Sequence, residues 1–338
     1  MTSTHSHEAI HPLIGAWALD ACTPEEAELV QAHLSSCAVC SEEARTLRET
    51  AAELGGGHLR PPAGLGIRLR SAAHLRRRPA PRAPGYAKPY AAQVAALDLM
   101  LSGLPTGDWQ RIAAYEQMSV HDLLAHLIAT DGLVAAALGV AVRPPVEPGT
   151  DAETRTVAIV AREKERPVDE TRRSWRDQAE ELCLALPRRP NGATVTLGFP
   201  MVVPDALLAR AFETWIHTED IAGATGSAAT TPLPEHLHPM ADLAARLLPK
   251  VTARRMPDAA GRHVRLHLTG AGGGTWTVPV VSGHTAGEPD AEITADVVEF
   301  CRLVGARRDP DAFPAELGGD TALARAWLAA APSLAPYP

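Results

Sequence analysis

Imidazole and thiolate groups are the natural ligands of borderline-soft metal ions, and the stretch HLSSCAVC holds three of them within eight residues. His33 and Cys37 are four apart, so on a helix they share one face. Cys40 follows Cys37 as a CxxC pair, the commonest thiolate pair for zinc. A structural zinc site needs four tetrahedral N or S donors. The fourth must come from upstream, where His5, His7, His11 and Cys22 are the candidates.

A second set lies far along the chain. AFETWIHTEDI places Glu213 and His217 four apart, a spacing that alone carries little, because such pairs commonly meet on helix surfaces. HDLLAHLI adds His126 among Leu123, Leu124 and Leu127. A buried histidine needs a partner. A helical bundle can bring His126 against Glu213 and His217, giving two histidines and one carboxylate around a divalent metal, with open positions.

Other chemistry-bearing residues read as structural. Cys183 and Cys301 fall on apolar helical faces and are expected to be core thiols. His236, His238, His263 and His267 sit beside prolines or in strands and are expected at the surface. GAGGG at 270–274 lies between two strands without a following helix or lysine, so it is a turn and not a phosphate loop.

Mainly helical elements must position these groups. Residues 7–54 read as three short helices. The second opens on Thr23, Pro24 and Glu26, a capping box with proline at the first helical position. Between Glu53 and Asp98 there is no acidic residue, and PPAGLGIRLRSAAHLRRR predicts a basic amphipathic helix over 61–78. A Pro-rich linker follows it. Helices are expected near 90–103, 120–139, 166–186 and 204–224, the second capped by Ser119 and Asp122, which together suggest a four-helix bundle. HVRLHLTGAGGGTWTVPV reads as a β-hairpin and AEITAD as a third strand, with helices at 295–304 and 320–331. The boundaries drawn are 1–55, 56–89, 90–230 and 231–338, and no internal repeat is evident.

Length and charge limit the function classes. At 338 residues, two or three domains are expected. A net charge of −8 disfavours non-specific, direct DNA binding by the whole chain. The opening MTSTHSHEAI lacks the basic and apolar regions of a signal peptide. The longest apolar stretch, LIATDGLVAAALGVAV, is short and carries Asp131, so no membrane span is expected. These features predict a cytoplasmic protein whose five cysteines are thiols or ligands and not disulfides.

With HEAIHPLIGAWALDACTPEEAELVQAHLSSCAVC in view, residues 7–54 resemble the zinc-binding anti-sigma domain of regulators of extracytoplasmic-function sigma factors. The resemblance implies an upstream ligand about twenty-six residues before the histidine, which is His7 here, with His11 as the fallback. It assigns Zn2+ to His7, His33, Cys37 and Cys40. It also implies a sigma-factor partner embraced by the domain and a following helix, in whose place the basic segment 61–78 stands. Cys22 is a spare thiol that an oxidant-driven disulfide would use.

Residues from 90 to about 332 resemble the mycothiol-dependent maleylpyruvate isomerase family, through GDW at 107–109, SVHDLLAHL, ETWIH and LVGARRDP…ELGGDTALARAWL. The resemblance implies a DinB-like four-helix bundle, then a small α/β domain like sterol-carrier proteins. It implies metal ligands at His126, Glu213 and His217, and mycothiol as the thiol held by that metal. An assisting catalytic arginine would be Arg307 or Arg308, but Ala306 interrupts the family's Gly-Arg pair, and from sequence alone these arginines read as a solvated helix end. Together the two resemblances predict an anti-sigma regulator with a sensor region for a small thiol or electrophile. The alternative is a mycothiol-dependent isomerase or S-transferase.

Overall fold

A computed structural model describes residues 7–54, 78–114, 117–147, 149–187, 192–197, 199–283 and 287–335. His5, and the helix expected over 61–78 except for Arg78, lie outside the described residues. The chain forms two compact units, Met1–Arg76 and Arg77–Pro338.

In the first unit, α1 (His7–Ile10), a 3-10 turn at His11–Leu13 and α2 (Ile14–Ala18) run on from one another. The turn coincides with Pro12, which has no N–H to give to a helical ladder. Helix α3 spans Pro24–Leu34 and α4 spans Ala38–Leu54. The capping box at α3 is complete: the Thr23 N–H donates to Glu26 Oε2 at 2.9 Å, and the Glu26 N–H to Thr23 Oγ1 at 3.3 Å. The buried centre is meagre, with Ile14, Cys40 and Ala44 enclosed by Trp17, Leu34 and Cys37. Arg48 lies 4.0 Å above the Trp17 ring and 3.2 Å from Asp20. So small an apolar interior supplies little of what backbone ordering costs.

The second unit holds one continuous core. Its long helices are α5 (Lys88–Ser102), α6 (Val120–Ala137), α8 (Val168–Ala185) and α9 (Val203–Thr225). Neighbours pack in the ring α5–α9–α6–α8–α5, which closes a four-helix bundle. Helix α6 is buried almost throughout and starts with the Ser119 hydroxyl accepting from the Asp122 N–H at 3.0 Å. Among the described residues it alone is long and apolar enough to cross a membrane, and 78% of that stretch is buried inside the protein.

Two further helices were not expected from the sequence. Helix α7 (Ala152–Glu163), capped by Asp151, packs on α6. Helix α10 (Pro234–Arg255) runs through Pro239 and Pro249, residues that ordinarily break helices. A short antiparallel hairpin, β1 (Thr194–Leu197) with β2 (Phe199–Val202), leads into α9.

The remaining strands form a sheet of order β4-β3-β5-β6, with β3 (His263–Thr269), β4 (Gly274–Pro279), β5 (Ala291–Asp296) and β6 (Glu316–Gly319). The expected hairpin is β3–β4, and AEITAD is β5, paired parallel to β3. Val264, Leu266, Leu268, Ala291 and Ile293 are buried on one face, while Arg265 and Glu292 pair at 2.8 Å on the other. Helices α10, α11 (Val297–Val304) and α12 (Thr321–Ala330) complete this part. One expectation is corrected here: His263 is buried and not at the surface, because Gly287 lies directly over its ring.

The stretch from Arg78 to Ala87 lies against the bundle. Arg78 pairs with Asp177 and Glu180 at 2.8 and 2.6 Å, Arg176 donates to the Pro79 carbonyl, and Tyr86 donates to the Pro187 carbonyl.

Candidate metal centres

In the first unit, α1 presents His7, the end of α3 presents His33, and the start of α4 presents Cys40, with Cys37 just before it. One ligand atom from each of the four lies within 4.8 Å of all the others. His7 Nδ1 is 3.0 Å from Cys40 Sγ and 3.8 Å from Cys37 Sγ. Among the described residues His33 Nε2 is buried and makes no hydrogen bond, a costly state for an imidazole nitrogen unless something else takes its lone pair. The donor set of two imidazoles and two thiols, with this orphaned nitrogen among them, fits a tetrahedral zinc ion.

Local electrostatics favour thiolate at Cys37 and oppose it at Cys40. The Cys40 backbone N–H, then the His7 ring, lower the Cys37 thiol to about 6, while burial pushes Cys40 up. Two of the alternative donors, His11 and Cys22, are occupied elsewhere. His11 pairs with Glu43 at 3.0 Å, and the Cys22 thiol faces the Leu13 carbonyl at 3.7 Å.

In the bundle, α6 supplies His126 and α9 supplies Glu213 and His217. Their ligand atoms also lie within 4.8 Å of one another. His126 Nε2 is 2.6 Å and His217 Nε2 is 3.9 Å from the same oxygen, Glu213 Oε1. The two rings stand perpendicular, with centroids 5.2 Å apart. The His126 and Glu213 side chains are 19% and 18% exposed, so solvent reaches one side of the cluster.

The far side of each ligand is held by another group. His217 Nδ1 is 3.0 Å from Asp220 Oδ2. A carboxylate only accepts, so Nδ1 carries the proton and Nε2 keeps its lone pair for a metal. His126 Nδ1 meets the Thr156 hydroxyl at 3.2 Å. Arg210 donates to Glu213 Oε2 and, from Nε, to Asp131 Oδ1 at 2.7 Å. Asp131 in turn accepts from Tyr90 and Trp175 at 2.9 and 3.3 Å. Burial would raise the Glu213 carboxyl, but Arg210 and then the His126 hydrogen bond hold it below the ordinary range. The set fits a divalent ion held by two imidazoles and one ionised carboxylate.

Arg307 does not sit at a solvated helix end, whereas the Arg308 side chain is partly exposed. Arg307 is buried, donating to Asp220 Oδ1 at 3.0 Å, to Asp220 Oδ2 at 2.5 Å and to the Gly305 carbonyl at 2.7 Å. Arg308 pairs with Glu299 at 2.5 Å. Cys183 and Cys301 are buried as expected from their faces. The supporting residues Asp220 and Arg210 were missed in the sequence. Each lies three residues from a ligand on the same helix, and that spacing could have marked them.

Two family models match the chain, one at each cluster. Residues 8–41 match a zinc-finger family, beginning one residue after His7. Residues 90–222 match the mycothiol maleylpyruvate isomerase N-terminal domain, a span that includes His126, Glu213, His217 and Asp220 but not Arg307. The two matches fall within the resemblances seen in the sequence and leave residues 223–338 unmatched by either. Among solved structures, a mutant of the mycothiol-dependent maleylpyruvate isomerase aligns at 16% identity and TM-score 0.45, covering 68% of this chain and 91% of that one. The unmutated isomerase aligns at 17% and 0.44, covering 66% and 88%. No curated protein matches the chain.

Proposed function

We propose that the protein is a zinc-binding, anti-sigma-like transcription regulator whose second unit is a metal-dependent sensor for a small thiol or electrophile. The single observation that carries this reading is the convergence of His7, His33, Cys37 and Cys40, with the His33 Nε2 buried and without a hydrogen bond among the described residues. In this reading a zinc ion fastens α1, α3 and α4 around a core too small to do so. The module so formed, 1–55, then presents its helices to an extracytoplasmic-function sigma factor, with 56–89 as the basic helix and linker. The reading assigns 90–230 to a DinB-like bundle and 231–338 to a sterol-carrier-like α/β domain, in a cytoplasmic protein.

The bundle cluster supports the sensor half. A divalent ion there, zinc foremost, would lower the pKa of a bound thiol such as mycothiol and hold it as thiolate. Glu213 and the two histidines supply the ligands, and the exposed side of His126 and Glu213 admits the thiol.

The enzymatic alternative, a mycothiol-dependent isomerase or S-transferase, is favoured by that same solvent-open cluster. Against it stands Arg307, whose guanidinium is taken up by Asp220 and the Gly305 carbonyl.

The test is co-purification of the full chain with sigma factors of its host, together with zinc analysis. His33→Ala and Cys37→Ser should lose both the bound sigma factor and one equivalent of zinc. Retention of both by these variants would overturn the reading. Turnover of maleylpyruvate with mycothiol, abolished by His126→Ala, would establish the alternative.

A further inference from the structure

The junction between α9 and the sheet-bearing part of the second unit is built from consecutive acidic residues and two arginines. Glu219 takes Arg302 through both oxygens, at 2.9 and 2.7 Å. Asp220 takes Arg307 through both oxygens, at 3.0 and 2.5 Å. Asp220 also accepts from His217, whose other nitrogen faces Glu213.

The chain makes a deliberate turn to deliver Arg307. Helix α11 ends at Val304, Gly305 follows, and Ala306 adopts φ 59°, a left-handed conformation that costs a residue with a Cβ about 1 kcal/mol. Gly305 lies against Ile216, the residue before His217, so closely that a Cβ there would stand 3.0 Å from Ile216 Cδ1. The turn therefore seats on α9 at the ligand itself, and the Arg307 N–H closes it on the Arg302 carbonyl at 2.7 Å.

We propose that Arg307 is a positioning residue for the bundle metal centre, acting through Asp220 on His217, and not a group that binds the substrate. This rests on reading His126, Glu213 and His217 as metal ligands. Asp220 is buried, and Arg307 both compensates its charge and fixes the plane of its carboxylate. The carboxylate in turn fixes the rotation of the His217 ring. An outer partner of this kind is worth roughly 10- to 100-fold in metal affinity. The sheet-bearing part is then a working component of the metal centre, since it supplies the last link of an Arg–Asp–His chain.

The experiment loads the full-length chain with Co2+ at the bundle site, after Cys37→Ser has removed the N-terminal site. It reads the visible spectrum and the affinity by chelator competition. Asp220→Asn and Arg307→Ala should each weaken Co2+ binding about 10- to 100-fold and alter the spectrum. Arg307→Lys should fall between Arg307→Ala and the parent. Arg302→Ala breaks the neighbouring clamp without touching a ligand and should leave both readouts near the parent. Near-ultraviolet circular dichroism reports folding; the near-isosteric Asp220→Asn carries the test if Arg307→Ala does not fold. Unchanged affinity and spectrum in folded Asp220→Asn and Arg307→Lys would sink the inference alone. Failure of the parent to take up Co2+ at His126, Glu213 and His217 would remove the metal centre and the inference with it.

Discussion

His126 Nε2 lies 2.6 Å from Glu213 Oε1 across 87 residues of chain. Two helices of the bundle had to pack side by side, in one axial register, for those atoms to meet. The same oxygen faces His217, and the opposite oxygen is held by Arg210. The carboxylate is thus divided between ligand duty and charge compensation.

Metal analysis should find two divalent ions per chain, one for each cluster. Treatment with a strong chelator should abolish the cooperative unfolding of the first unit while the second still melts. Among the described residues the buried apolar cluster of the first unit is Ile14, Cys40 and Ala44, and a structural zinc ion contributes about 10–16 kcal/mol of apparent binding free energy in comparable small sites. A single ion per chain, or a first unit indifferent to chelation, contradicts this.

Metal retention should also depend on pH in one direction. Every ligand in the first cluster must be deprotonated to bind. Protons compete with the ion for His7, His33, Cys37 and Cys40, so acidification should release the ion and alkaline conditions retain it. Zinc release followed with a chromophoric chelator from pH 8 to pH 5 checks the sign; release on raising the pH across that range would reverse the argument.

Thiol labelling should divide the cysteines sharply. In chelated protein at pH 8, Cys22, Cys37 and Cys40 should alkylate first, since the unit that holds them opens without its ion. Burial pushes Cys183 up to about 12 and Cys301 up as well, so both should stay unmodified until the second unit unfolds. Mass mapping of alkylated peptides decides it.

Arg210→Met should destabilise the second unit by about 3–5 kcal/mol, because Asp131 and Glu213 would both lose their buried cation. Arg265→Ala, which breaks an exposed pair with Glu292, should cost under about 1 kcal/mol. Urea denaturation with unchanged slopes separates the two; similar losses would mean that burial does not set their difference.

Much of this was legible before any coordinates. ExxxH is a helix spacing, and α9 enforces it locally. HxxxCxxC is not one here: α3 ends at Leu34 and α4 starts at Ala38, so His33 and Cys37 do not share a helix face, and the turn between the two helices brings them together. His126 was legible because a histidine flanked by Leu123, Leu124 and Leu127 has to find a partner in the core. The fourth donor was ambiguous from residue types alone, and it took the family resemblance to prefer His7 to His11. Helix α7 was missed because its apolar face is short, leaving Val157 exposed and Ile159 buried. Helix α10 was missed because Pro239 and Pro249 interrupt the sequence pattern, although Leu237, Met240, Ala244 and Leu248 keep helical spacing and are buried. Arg307 was misjudged as solvated because its partner lies on another helix, at a distance along the chain that no local pattern encodes.

The meagre interior of the first unit has a bearing on turnover. A protein with a generous oily centre unfolds at a pace set by its own packing. If an ion gathers the first unit around Cys37, Cys40 and two imidazoles, as proposed above, the unit should open when that ion departs, and proteases would capture whatever opens. In a metal-starved cell, the amount of intact first unit would then follow the supply of zinc, and the second unit would survive as a trimmed fragment. Limited trypsin digestion with and without chelator should reproduce that trimming in a tube.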